Sequence, residues 1–348
     1  MAENQGDRQS AAVAASLMQL AMGFRASRAV YTATELGIAD LLASRSMSSA
    51  ELAAATKTHQ LSVHRLMRAL SALGVFEERE PDRFSLAPIG ALLKRDEPRS
   101  LRAPVLFLAG ETGWRVWGDL LFSLRTGDAA LEHVLGMQTF DYWASHPDEC
   151  AIHDEAMAVA SAGVAAALLA AYDFSPFGVV VDVGGGTGSL LSEILAAHSH
   201  LRGILVDLPH VVVGAPQVLE RKGVASRCRI EGGSFFESIP TGGDAYLLKH
   251  IIHDWDDSRS IAILASCRKA MTPNSTLLVV DHVLPERAEQ GQSISGFLTD
   301  LEMLVRTPGG RERTEDEFSS LFAAAGFELK RVVSTPSPLS VVEGRPKP

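Results

Sequence analysis

Ten residues, VVVDVGGGTG at positions 179–188, constrain most what this chain can fold into. Three β-branched residues lead into Asp182, and Gly184, Gly185, Gly186 and Gly188 follow within five positions. Ser189, Leu190, Leu191, Glu193, Ile194 and Leu195 then take up helical spacing. That order predicts a buried strand, a tight turn and a helix N-terminus. A turn without Cβ atoms lets backbone N–H groups approach a ligand closely, so a nucleoside-bearing cofactor is expected. The dinucleotide fingerprint G-x-G-x-x-G is incomplete, because Ser189 stands at its third glycine. The loop carries no lysine, so it is not a P-loop.

Downstream the pattern alternates. Strands are expected at 203–207, near 229–231, at 245–249 and at 277–281, with helices at 189–197, 212–221, 258–271 and 314–325. Two closing strands, 327–334 and 339–342, are joined by Thr335-Pro336-Ser337-Pro338, which suggests an antiparallel hairpin at one edge. The fold class is therefore α/β, a doubly wound and mostly parallel seven-stranded sheet. Its ligand belongs at the carboxyl ends of the strands.

The first hundred residues read differently. Helical spacing runs from Ala11, Ser48-Ser49-Ala50-Glu51 opens a short helix, 63–73 forms another, and two strand-like pieces flank Pro81-Asp82. This is a winged-helix layout. A DNA-binding reading rests on His64, Arg65, Arg68, Arg79 and Arg83, but Glu77, Glu78, Glu80 and Asp82 interrupt any basic stripe. A net charge of -10 also disfavours phosphate binding. The apolar AAVAASLMQLAMGF stretch is better suited to packing on a second subunit. Between the two regions the chain reads as helical, with Phe107, Trp114, Trp117, Phe122, Phe140, Tyr142 and Trp143 taken chiefly as core. The expected division is 1–100, a winged-helix-like dimerisation domain; 101–172, a helical linker and substrate-pocket region; and 173–348, a Rossmann-like cofactor domain.

Cys150, Cys228 and Cys267 are too few and too scattered for a disulfide framework or a zinc site, which fits a reducing cytoplasm. No apolar run reaches the ~18 residues of a membrane span. The opening MAENQGDRQS has no secretion-signal pattern and reads as a frayed tail.

Residues suited to chemistry cluster after the strands. Asp207 ends the second strand, where an acid takes a ribose hydroxyl pair. Gly232-Gly233-Ser234-Phe235-Phe236 follows the third; Phe235 can cover an adenine face and Ser234 can reach its edge. After the fourth comes LLKHIIHDWDD. His250, His253 and Asp254 suggest a metal site, but no further ligand stands at a matching spacing, and none is expected. Asp257 is a candidate helix cap. His253, with an ordinary pKa near ~6.5, is expected to be largely neutral at pH 7 and to act as general base. Such a base needs a carboxylate to fix its tautomer; Asp281 and Glu312 are the candidates.

VVDVGGGTG, VDLPHV, GGSFFE, LLKHIIHDWDD and TPGGRERTEDEF, in that order, resemble the S-adenosylmethionine-dependent O-methyltransferases of the plant caffeic-acid and bacterial polyketide-tailoring type. The resemblance covers nearly the whole chain, winged-helix lobe included. It implies a homodimer formed through that lobe, no nucleic acid, and methyl transfer to an aromatic or polyketide-like acceptor with S-adenosyl-L-homocysteine as product. Asp182, Gly184 and Gly186 would cradle the methionine part of the cofactor, Asp207 its ribose, and Ser234 and Phe235 its adenine, with Lys249 steadying it. Ser234 departs from the family's usual Asp. His253 would be the base, flanked by Asp281, where Glu is usual, and Glu312. Met157, Met303 and Thr307 would line the acceptor pocket, together with His153 where an aromatic is common. Two further readings stand beside this one: N-methylation of a heteroaromatic ring, or a non-methylating relative using the same cofactor. From another class comes a winged-helix regulator.

Overall fold

The computed structural model describes residues 2–137, 142–143 and 145–348, with backbone only for residues 2–10. Phe140 lies outside the described residues. The chain forms two compact units, Met1–Trp114 with His146–Val159, and Arg115–Ser145 with Ala160–Pro348.

In the first unit, α1 (Ala2–Glu35) takes in the opening segment expected as a tail. Then come α2 (Ile38–Leu41), α3 (Ser49–Thr56), α4 (Gln60–Ala72), the hairpin of β1 (Phe76–Glu80) and β2 (Arg83–Leu86), α5 (Pro88–Ala91) and α6 (Arg102–Ala109). A capping box starts α3: Ser48 Oγ accepts the amide of Glu51, and the Glu51 carboxylate accepts the amide of Ser48 at 2.8 Å. Leu52, Met67, Leu70, Phe76 and Phe84 form the core. The hairpin's cations are spent on acids, Arg83 on Glu51 at 2.9 Å and Arg79 on Glu77 at 2.7 Å.

Residues 101–172 are not one helical run. After α6 come α7 (Glu111–Gly118), α8 (Leu120–Thr126), α9 (Ala130–Leu135) and α10 (Pro147–Ala171). Among the described residues α10 alone is long and apolar enough, by length and composition, to cross a membrane. Asp148, Glu149, Asp154 and Glu155 hide it from a search for unbroken apolar runs. Its later residues Val164, Ala165 and Leu168 are buried in the core of the second unit.

That unit is built on β3 (Val179–Val183), α11 (Ser189–Ala197), β4 (Arg202–Asp207), α12 (Ala215–Arg221), β5 (Cys228–Gly232), β6 (Ala245–Lys249), α13 (Asp257–Ala270), β7 (Thr276–Asp281), β8 (Val283–Leu284), α14 (Ser295–Arg306), β9 (Arg313–Thr314), α15 (Glu315–Ala324), β10 (Phe327–Ser334) and β11 (Ser340–Pro346). Seven strands form one sheet in the order β10-β11-β7-β6-β3-β4-β5. All pairs are parallel except those of β11, which is antiparallel to both neighbours. The doubly wound sheet with an antiparallel hairpin at one edge is thus present. Alternate residues of β3 serve opposite faces: Val180 packs with Leu191, Leu205 and Leu278, and Val181 with Tyr246, Leu264 and Val279. Strand order reverses beside β3, which opens a crevice at the carboxyl ends of β3, β4 and β6. A separate parallel pair, β8 with β9, joins the chain after β7 to the chain after α14. Two residues per strand gave the sequence reading no periodicity to find.

Candidate active site

The glycine loop follows β3 directly. Gly184, Gly186 and Gly188 are left-handed, with φ of 69°, 61° and 79°. A Cβ on Gly184 would stand 2.4 Å from Ile251 Cδ1, while one on Gly186 would meet open space. The loop is tied to the end of β4. Gly184 donates to the carbonyl of Val206 at 2.8 Å, and Asp207 accepts the amides of Gly186 (2.8 Å) and Leu208 (2.7 Å). Asp182 is buried beneath the loop, and its Oδ2 has no partner. Burial pushes its carboxyl up to about 7, against the opposing pull of Lys249.

After β5, Phe235 approaches the glycine loop; its ring edge lies 3.4 Å from where a Gly184 Cβ would be. Phe235 and Phe236 both meet Trp255 edge-on, at 6.3 and 4.9 Å between centroids. Ser234 Oγ accepts the amide of Phe236 at 3.3 Å, so in this state it closes its own turn. Trp255 belongs to this aromatic group, and the sequence reading gave it no role.

The segment after β6 carries the acid–base groups. His253 sits in a short 3₁₀ turn, Ile252–Asp254, and is 6% exposed. Its Nδ1 faces Glu312 Oε1 at 2.8 Å, and Glu312 is 3% exposed. An ionised carboxylate only accepts, so Nδ1 carries a proton, and Nε2 is the nitrogen at which the second proton is gained or lost. Asp254 Oδ1 lies 3.6 Å from Nε2.

Asp281 is placed otherwise than expected. Its Oδ1 accepts the backbone amide of His250 at 3.0 Å, while its buried Oδ2 has no partner. Burial pushes its carboxyl up to about 7. His250 is left-handed, φ 53°, and its ring stacks on that of His253, 4.9 Å apart and 12° from parallel. The two imidazoles lie face to face rather than converging on one point. Lys249 Nζ reaches His250 Nδ1 at 3.4 Å. Burial, reinforced by Lys249, holds His250 well below the ordinary histidine value.

The expectation of a largely neutral His253 is corrected. Burial alone would lower its pKa, but Asp281, Asp254 and the Glu312 hydrogen bond raise it to about 10. These surroundings favour the protonated imidazole.

The helix after the turn is capped by Asp256, which accepts the amide of Arg259 at 2.8 Å. Asp257, the expected cap, instead pairs with Arg311 (3.1 Å) and Arg313 (2.8 Å). Met303 is buried on α14, and the Thr307 hydroxyl donates to its carbonyl at 2.8 Å. Met157 and His153 lie on α10 in the first unit; His153 meets Phe107 edge-on and Asp154 at 3.0 Å.

Glycine loop, strand-end acids and a buried His–carboxylate pair beyond the carboxyl ends of the central strands of a doubly wound sheet define the class I methyltransferase arrangement. An O-methyltransferase domain model matches residues 117–328, and an O-methyltransferase dimerisation domain model matches residues 18–96. The phenazine O-methyltransferase PhzM of Lysobacter antibioticus is 45% identical over 330 residues, 95% of each chain. The O-demethylpuromycin-O-methyltransferase of Streptomyces alboniger is 39% identical over 95% of this chain and 88% of that one. Among solved structures, NcsB1 of neocarzinostatin biosynthesis, in complex with S-adenosylmethionine and 2-hydroxy-5-methyl naphthoic acid, superposes with a TM-score of 0.78. It is 32% identical, over 92% of this chain and 96% of that one. This chain belongs to the O-methyltransferase family, and it is an S-adenosyl-L-methionine-dependent enzyme. The residues fit that cofactor: an unpartnered buried carboxylate oxygen on Asp182, open space beside Gly186, and the Phe235 ring against the loop.

Proposed function

We propose that this chain methylates a hydroxyl of a flat aromatic or polyketide-like molecule of secondary metabolism, with His253 as general base, and works as a homodimer through its N-terminal lobe. The observation that carries the reading is the buried His253–Glu312 pair, 2.8 Å apart, with His253 in the segment after β6, the strand that neighbours the β3 of the glycine loop. A phenazine-modifying relative and a naphthoate-bound neighbour support a flat aromatic acceptor.

Asp182, Gly184 and Gly186 hold the amino-acid end of the cofactor, Asp207 the ribose, Ser234 and Phe235 the adenine, and Lys249 steadies the whole. When bound, the cofactor supplies an electrophilic methyl on a positive sulfur, and that charge opposes a second cation nearby. His253 Nε2 receives the acceptor's hydroxyl proton, Glu312 fixes the tautomer that frees Nε2, and Asp281 supports the segment through the His250 amide. Met303 and Thr307 shape the acceptor pocket. A phenol of pKa near ~10 is mostly protonated at pH 7, so proton removal is what the base contributes.

The test is turnover with labelled cofactor on a panel of phenols, naphthols, anthraquinones and phenazines, following S-adenosyl-L-homocysteine release. His253→Ala is expected to lower turnover by roughly 10²- to 10⁴-fold, the usual worth of a general base, with cofactor affinity nearly intact. Undiminished turnover removes His253 from the mechanism. A methyl found on ring nitrogen assigns the N-methylating alternative.

A further inference from the structure

The Pro308-Gly309-Gly310-Arg311-Glu312-Arg313 turn carries more than Glu312. Arg313 is 1% exposed, among the largest fully buried side chains of the chain. Its Nη1 donates to the carbonyl of Ile252 at 3.1 Å, and its Nη2 to the carbonyl of Trp255 at 2.9 Å. Nε and Nη2 both reach Asp257 Oδ1, at 3.2 and 2.8 Å, and Nη2 also reaches Ser260 Oγ at 3.3 Å. Ile252 and Trp255 bracket His253 in the chain. On the other side, Arg313 begins β9, pairs with Val283 of β8 two residues beyond Asp281, and directly follows Glu312. One guanidinium therefore joins the base-bearing turn to the turn that carries the base's carboxylate.

A buried guanidinium is costly unless every donor is matched, and an apolar side chain of similar volume would serve packing alone at least as well. What the planar fork adds is fixed angles to several acceptors at once, which an ammonium cannot reproduce. We propose that Arg313 is a positioning residue: it sets the separation and angle of His253 against Glu312 by clamping the carbonyls on both sides of the histidine. The inference rests on the reading of His253 as base.

The test compares Arg313→Met, Arg313→Lys and His253→Ala in the full-length protein. Three quantities are read: the titration of His253 by NMR in ligand-free, histidine-labelled protein, with His253→Ala assigning the resonance; affinity for S-adenosyl-L-homocysteine; and turnover with the best acceptor of the panel. In Arg313→Met the Glu312 hydrogen bond loosens, so the midpoint of His253 moves toward the ordinary histidine range. Turnover falls on the order of 100-fold, as expected for a misplaced catalytic group, while affinity changes less than about twofold. Arg313→Lys, with a point charge and no fork, lies between the two. An unchanged His253 titration and turnover in Arg313→Met, whatever happens to its melting temperature, overturns the proposal. If Arg313→Met does not fold, Arg313→Lys decides it on the same readouts, and wild-type values there overturn it. Should His253→Ala turn over normally, the base reading fails; the NMR titration still decides whether Arg313 positions the ring.

Discussion

At the scale of single residues, chemistry depends on carboxylates that are not at ease in the ligand-free protein. Asp182 is buried, has an unpartnered oxygen, and has its pKa raised to about 7 by burial. A raised carboxyl pKa contributes stability below the unfolded value near ~3.9, and that contribution is lost as pH rises through about 7. Asp182→Asn removes the charge without changing the volume. It is therefore expected to raise the melting temperature of the ligand-free protein above pH 7, with a ceiling of roughly 4 kcal/mol, and to weaken cofactor binding. Calorimetric melts at pH 5 and pH 8.5 check this; a gain no larger at pH 8.5 than at pH 5 counts against it. Glu312→Gln is the second residue-scale prediction. Losing one of the charges that raise His253 lowers its pKa, so the ascending limb of kcat/KM against pH moves to lower pH. Turnover falls by roughly 10²- to 10⁴-fold as the preferred tautomer is lost. A limb that stays in place means that another ionisation sets it. His253 and Glu312 were legible in the sequence, because each stands where a strand or tight turn should end. The link between Asp281 and the His250 amide was not, since a left-handed histidine backbone has no sequence signal of its own.

At the scale of elements, the strands were readable because β-branched runs bounded by Gly, Asp and Pro are readable. All seven sheet strands start within one residue of the expected position, and the last, Ser340–Pro346, continues past the expected end at 342, where Glu343 is buried and paired with Tyr172 and Arg331. What escaped is structure made by contact rather than period: the β8–β9 pair, the clamp of Arg313, and the seating of the Pro308-Gly309-Gly310 turn on the base segment. A Cβ on Gly310 would lie 2.1 Å from Thr307 Oγ1, 2.5 Å from the His253 carbonyl oxygen and 2.8 Å from Asp254 C. Gly310→Ala must push the turn away from the base segment and take Glu312 with it. Turnover is expected to fall on the order of 100-fold, with cofactor affinity retained, because the glycine loop lies on a different strand. Equal loss of both in paired kinetic and calorimetric measurements would instead mean general disruption of the sheet edge.

At the scale of the whole molecule, the change of hydrophobic period near Val179 marks where the sheet begins, while the second compact unit also takes in Arg115–Ser145 and the chain from Ala160. The surface of α1 bears on the role of the lobe. Val13, Leu17, Leu20 and Phe24 repeat at helical spacings of four, three and four residues along α1, and they are 66%, 67%, 80% and 49% exposed. A stripe of that kind on a free chain is a liability for aggregation and an asset for assembly. If it is the seam of the proposed homodimer, two-fold symmetry makes each substitution count twice. Leu20→Ala then removes two buried leucine side chains per dimer. At ~1.5–3 kcal/mol each, this costs roughly 3–6 kcal/mol, or about 10²- to 10⁴-fold in the dimer dissociation constant. Sedimentation equilibrium of the wild type and Leu20→Ala measures the difference directly. The sheet domain should keep its affinity for S-adenosyl-L-homocysteine in both, because the glycine loop is held by Val206 and Asp207 at the end of β4. A Leu20→Ala protein that associates as tightly as the wild type would place the seam elsewhere on the lobe.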